Sequence, residues 1–155
     1  LPVPSFQLRS ASQSDFPSIR NLIQLVRINP TSLDWRRFLV AISPKGDVIG
    51  CGQIKPHREG SFELASIAVH PDWRGKGIAK AIIERLIASH SGLLFLTCRA
   101  SLGEFYKKFG FSVVKPGKMP PHFLRITRLA SFFRRVKLLE EDLLVMTLLV
   151  ENPSP

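Results

Sequence analysis

The sequence of 155 residues predicts a single α/β domain built on a mixed sheet, antiparallel at its start and parallel further along. Three observations carry that expectation. The runs "RFLVAI" (37–42), "DVIGCGQI" (47–54) and "SFELASIAV" (61–69) are strand-like and joined by the short turn-rich links "SPKG" and "KPHREG"; short links favour antiparallel neighbours, hence a three-strand meander. The third run continues through "HPDWRGKG" into a helical apolar stripe and then into "LLFLTC" (93–98). Such a strand, helix, strand unit requires parallel pairing across its crossover. Last, "DLLVMTLLV" (142–150) is apolar nearly throughout, as a strand buried on both faces would be.

The remaining elements follow in order. "SFQLRS" (5–10) alternates apolar and polar residues as a half-buried strand does. At "SDFP", Ser14 or Asp15 can cap a helix that tolerates Pro17 in its first turn; Ile19, Leu22, Ile23 and Val26 form its buried face, and Asn29-Pro30 ends it. Ile78, Ala79, Ile82, Ile83, Leu86 and Ile87 give the second helix one apolar face, closing near Ser91-Gly92. "SLGEFYKKFGF" (101–111) predicts a compact helix, with Ser101 and Glu104 at capping-box spacing and Gly110 just past the end; "FSVV" is the next strand. An insert, residues 115–140, precedes the final strand. In its helical part, "LRITRLASFFRRVKLL", the residues Ile126, Leu129, Ala130, Phe133 and Val136 are expected to share a packed face, with Arg128, Ser131, Arg135 and Lys137 opposite.

Apolar residues make up 45% of the chain and charged residues 22%, which fits a globular protein and excludes a disordered chain or a fibre. A net charge of +10 calls for an anionic partner: nucleic acid, phospholipid or a polyphosphate cofactor. No stacking-aromatic or recognition-helix signature accompanies the basic residues, so a nucleic-acid partner is not expected. Cys51 and Cys98 each sit in an apolar stretch and read as reduced core residues. No apolar run reaches the ~18 residues of a membrane span. "LPVPSFQLRS" also lacks the layout of a secretory signal. A cytoplasmic protein is the expectation.

The stretch "VHPDWRGKGIAKAII" (69–83) runs from a strand through a glycine-rich turn into a helix. The first turn of that helix offers unpaired backbone N–H groups and a partial positive charge. Gly75 and Gly77 leave the backbone approachable, and Arg74 and Lys76 add formal charge. A phosphate or pyrophosphate is the natural occupant. The dinucleotide fingerprint fails, since Lys80 stands where its third glycine belongs, and a Walker loop is absent.

With these residues in hand, the sequence resembles the GNAT acyltransferase superfamily. "RGKGIA" (74–79) matches the R/Q-x-x-G-x-G/A pattern of that family, and "FYKKFGF" (105–111) matches its aromatic-Tyr-x-x-x-Gly-Phe block at the expected distance downstream. The resemblance implies the GNAT fold from about residue 5 to 150 and acetyl-CoA as donor. It places the pantetheine arm along Ile67, Ala68 and Val69, and the pyrophosphate on Arg74, Gly75, Lys76, Gly77, Ile78 and Ala79, with Lys80 beside them. Lys108 would lie near the nucleotide end.

Transfer of an acyl group from a thioester to an amine needs a base, because an amine with pKa near ~10.4 is charged at neutral pH. It also needs oxyanion donors, for which a bulged strand near Val69 is the expected source, and a proton for the departing thiolate. Glu63 is the candidate base: the resemblance puts a catalytic glutamate there in several family members, and strand alternation puts it on the face of Ala65, Ile67 and Val69. A solvated strand-edge carboxylate is the plainer reading. Tyr106, the one tyrosine in the chain, is the candidate acid, standing where the family holds a phenol toward the thioester sulfur; core packing is its plainer reading.

His57, His70, His90 and His122 show no metal-ligand spacing, so loop or surface roles are expected and no metal. The insert reads as an acceptor lid whose Arg125 or Arg128 holds an acceptor carboxylate, as a basic helix at a membrane or partner surface, or as packing alone. The expected function is acetyl-CoA-dependent N-acetylation of a small molecule or amino acid. A non-catalytic CoA-binding sensor and a protein or peptide N-acetyltransferase remain alternatives. A homodimer is plausible from the exposed sheet edges.

Overall fold

A computed structural model describes residues 5–137 and 139–151. The first four residues of "LPVPSFQLRS" and Leu138 of the insert lie outside them. Seven strands run in the order β1-β2-β3-β4-β5-β7-β6. They are β1 (Gln7–Ser10), β2 (Phe38–Ile42), β3 (Val48–Pro56), β4 (Phe62–Val69), β5 (Gly92–Arg99), β6 (Ser112–Val113) and β7 (Leu143–Val150), with helices α1 (Phe16–Leu25), α2 (Ile78–Ala88), α3 (Gly103–Lys107) and α4 (Pro121–Arg135). β1 with β2 and β2 with β3 pair antiparallel, β4 meets β5 in parallel at Glu63↔Phe95, and β5 and β6 each pair antiparallel with β7. The mixed sheet is as the sequence predicts.

The described chain groups into two compact units, one from the segments up to Lys55 and Leu64–Ser89, the other from Pro56–Glu63 and His90 onward. In the first, Ile19, Leu22 and Ile23 of α1 pack with Phe38, Val40, Cys51 and Ala68. Asp15 starts this helix: it binds Arg9 at 2.7 Å and accepts the Ser12 backbone N–H at 2.7 Å, tying β1 to the helix entry. On the other side of β3, Gly50 and Gly52 admit α2. A Cβ on Gly52 would stand 2.6 Å from Ile67 Cδ1 and 2.8 Å from Ile82 Cγ2.

In the second unit, Phe95, Val114, Phe123 and Val145 form the core, with Met119 against it. Three expectations are corrected here. β7 is buried only at Val145 and Met146, and Leu149 is 58% exposed, because an apolar composition cannot itself supply a covering layer. The capping box at Ser101 and Glu104 does not form: α3 begins at Gly103, the Ser101 N–H donates to Glu141 at 2.8 Å, and Glu104 pairs with Lys107. α4 starts three residues before the predicted run and buries Phe123 alone, while Leu129, Phe132 and Val136 are exposed. Its amphipathic period is real, and the face that the period defines is partly covered: Ile126, Ala130 and Phe133 are half-buried, Leu129 and Val136 exposed.

Candidate active site

In the first unit, β4 leads through a three-residue 3-10 helix, Pro71–Trp73, into the glycine turn. The His70 ring caps that short helix, its Nδ1 accepting the Asp72 N–H at 3.1 Å. Gly75 and Gly77 have φ of 76° and 80°, left-handed values that favour glycine, and Gly77 is the N-cap of α2. Nothing lies within 4 Å of a Cβ built on either, so the backbone there faces open space. Ile78, 2% exposed, anchors the helix start; Arg74, Lys76 and Lys80 are exposed around it. Lys76 Nζ lies 5.1 Å from the Trp73 ring centroid, and Lys80 reaches Glu84 at 3.9 Å. The first turn of α2 contains no acidic residue. Bare backbone, first-turn N–H groups and the cations Arg74 and Lys76, with Lys80 beside them, make a cradle that fits a diphosphate.

β4 carries a further feature. Ser66, mid-strand, has φ of 59°, the left-handed region where a non-glycine residue is strained. Its hydroxyl accepts from Gln53 Nε2 at 2.9 Å, and its carbonyl lies 3.6 Å from Cys51 Sγ. Beyond Ser66 the alternation expected along the strand holds: Ile67 meets Gly52 on the α2 side, whereas Ala68 packs into the α1 core. The irregularity that sequence reasoning put near Val69 is three residues earlier. On β3, Gln53 is fully buried with its Oε1 unpartnered, and Lys55 is only 6% exposed with no ion pair to a described carboxylate. Neither residue was anticipated.

In the second unit, Glu63 is 7% exposed and not the solvated edge carboxylate of the plainer reading. His57, from the turn after β3, donates from Nε2 to Glu63 Oε1 at 2.9 Å, and His122 Nε2, in the first turn of α4, is 3.6 Å from the same oxygen. The two imidazoles stack at 3.7 Å, and Phe123 sets its edge against both. The loop or surface roles expected for His57 and His122 are thus corrected. His57 lies six residues from Glu63 and is legible as a hairpin neighbour, but no local signal ties it to His122 across the chain.

Tyr106 is half-buried on α3, edge-on to Phe105 and Phe111. Burial, with Cys98 adding to it, pushes its phenol up to about 12, so it stays protonated at every working pH. Lys108 caps the end of α3 and is exposed. Arg125 and Arg128 are exposed on α4, and Arg128 borders a shallow groove with Leu124, Thr127 and Phe132.

The family profile described as acetyltransferase (GNAT) domain matches residues 34–113. An amino-acid acetyltransferase of Mycobacterium tuberculosis is 30% identical over 120 residues, covering 70% of this chain and 69% of that protein. Among solved structures, N-acetylglutamate synthase from Neisseria gonorrhoeae, complexed with coenzyme A and N-acetyl-glutamate, superposes with a TM-score of 0.74 at 17% identity. It is matched over 96% of this chain, which spans only 36% of that longer protein. The Mycobacterium tuberculosis protein Rv2747, solved in complex with CoA, gives 0.68 at 24% identity over 92% of this chain and 98% of its own. The ribosomal-protein-S18-alanine N-acetyltransferase from Escherichia coli gives 0.64 at 18% identity over 97% of each chain. At these identities the structures share the fold of this chain.

Proposed function

The chain belongs to the GNAT acetyltransferase family, and from that premise we propose that its acceptor is the α-amine of an amino acid. It is an acetyl-CoA-dependent N-acetyltransferase. When bound, acetyl-CoA supplies the acetyl thioester and the leaving thiolate.

Each residue then has a role. Arg74, Lys76 and the backbone of Gly75, Gly77, Ile78 and Ala79, with Lys80 beside them, bind the diphosphate; the backbone of Ile67, Ala68 and Val69 binds the pantetheine arm; Lys108 serves the nucleotide end. Glu63 takes the proton from the acceptor ammonium, and Tyr106 holds the proton that the thiolate needs. Burial keeps the phenol protonated at neutral pH, so its proton is in place when the thiolate leaves.

The observation that carries the amino-acid reading is Lys55. Lys55 is largely buried along its length and makes no ion pair with a described carboxylate, so its ammonium is available to the anion that a ligand supplies. We assign the acceptor carboxylate to Lys55 in preference to Arg125 or Arg128, whose guanidinium groups are already in water. The unpartnered Gln53 Oε1 is the matching acceptor for a ligand N–H. The named activities of the Mycobacterium and Neisseria relatives support the same class of acceptor. A reducing, cytoplasmic setting suits the two buried free thiols.

A thiol-release assay with acetyl-CoA, run over L-amino acids, their amides and esters, simple amines and peptides, tests this. Free α-amino acids should be turned over and their amides should not. Lys55→Met should raise KM for the amino acid at least about tenfold, the order expected for an unpaired charge, and leave KM for acetyl-CoA unchanged. Equal turnover of amides or of peptides with blocked carboxylates would overturn the assignment.

A further inference from the structure

We propose that His57, Glu63 and His122 form a binding site for a divalent transition-metal ion, zinc foremost. Two imidazoles and a carboxylate are a donor set that zinc accepts, and imidazole also suits copper and nickel. The three side chains come from three places in the chain, a turn, β4 and the first turn of α4, yet their ligand atoms all lie within 4.8 Å of one another. Both Nε2 atoms address one oxygen, at 2.9 Å and 3.6 Å. Donors held at about 2.0–2.1 Å in tetrahedral array stand roughly 3.3 Å apart, between those two separations.

The surroundings favour a cation. The carboxylate is buried, and Phe123, 0% exposed, forms an apolar floor against both rings. A water molecule completes the coordination. The partly exposed side chain of His122 gives an ion a way in.

In the metal-bound form both rings carry their proton on Nδ1 and give the Nε2 lone pair to the ion, replacing the hydrogen bond to Glu63. The rings are stacked at 3.7 Å and 24°, so binding requires one ring to fan outward. His122, with 28% of its side chain exposed, has the room. An ion so held occupies the carboxylate assigned above as the base, so metal binding and proton abstraction exclude each other. The binding itself does not depend on that assignment, and the test reads binding.

Full-length protein, stripped with chelator and dialysed, is titrated with Co²⁺ by visible absorption and with Zn²⁺ by calorimetry. One equivalent should bind, with the intense visible bands of low-coordinate Co²⁺. His57→Ala, His122→Ala and Glu63→Gln should each weaken binding by roughly a hundredfold. Melting curves in chelator establish that the variants are folded; if His57→Ala is not, the half-exposed His122→Asn carries the test. No stoichiometric binding, unchanged affinity in folded variants, or a thiolate charge-transfer band reporting Cys51 or Cys98 would each overturn the proposal.

Discussion

Tyr106 shows how a single residue combines sequence motif and environment. The motif names the position, and burial beside Phe105 and Phe111 sets the chemistry by keeping the phenol protonated. Tyr106→Phe removes the proton and little packing, so kcat should fall about a hundredfold or more while calorimetry shows coenzyme A affinity and Tm unchanged. Asp15 is a structural counterpart. Its hydrogen bond with Arg9, helped by Ser12 and opposed by burial, holds the carboxyl well below the usual carboxylate range. A folded pKa below the unfolded one stabilises fully above the unfolded value, and the gain disappears as pH falls toward the folded one. Asp15→Asn should therefore cost about 1–2 kcal/mol at neutral pH, and denaturant titrations at falling pH should show the deficit shrinking. Asp15 was legible as a cap; its bond to Arg9 was not, because nothing local orients a β1 side chain toward a helix start.

At the scale of the element, β3 and α2 show what a pattern of glycines means. Gly50 and Gly52 sit inside a strand, where glycine is a poor choice on propensity, and the reason is the close seat of Ile78, Ile82 and Leu86 of α2. Gly52→Ala should destabilise by about 1–3 kcal/mol through overpacking, measured by urea denaturation. Gly117→Ala, where a Cβ meets nothing within 4 Å, is the control and should stay within about 0.5 kcal/mol. β1 to β5, α1 and α2 were legible because their periods coincide with faces that are buried. α4 was legible as a helix, but not how far its apolar stripe is covered: Leu129 and Val136 stay in water while Ile126, Ala130 and Phe133 are half-buried.

For the molecule as a whole, the net charge of +10 is a statement about its donor. A tetra-anionic carrier drawn to a cationic surface should be held less well as salt screens the field. KM for acetyl-CoA should rise several-fold between low salt and about 0.5 M, while kcat changes little; a KM independent of ionic strength would deny the charge this role. The sequence by itself determined the strand order of the first half, the strand-to-helix junction with its two glycines, and the family, because each rests on residues close together in the chain and on their spacing. Tertiary structure alone decided that His57 and His122 converge on Glu63, that Lys55 is largely buried with no ion pair to a described carboxylate, and that Leu129 of α4 and Val136 at its end stay exposed. Those are properties of distance and burial between segments far apart in the chain, and no local period or propensity encodes them.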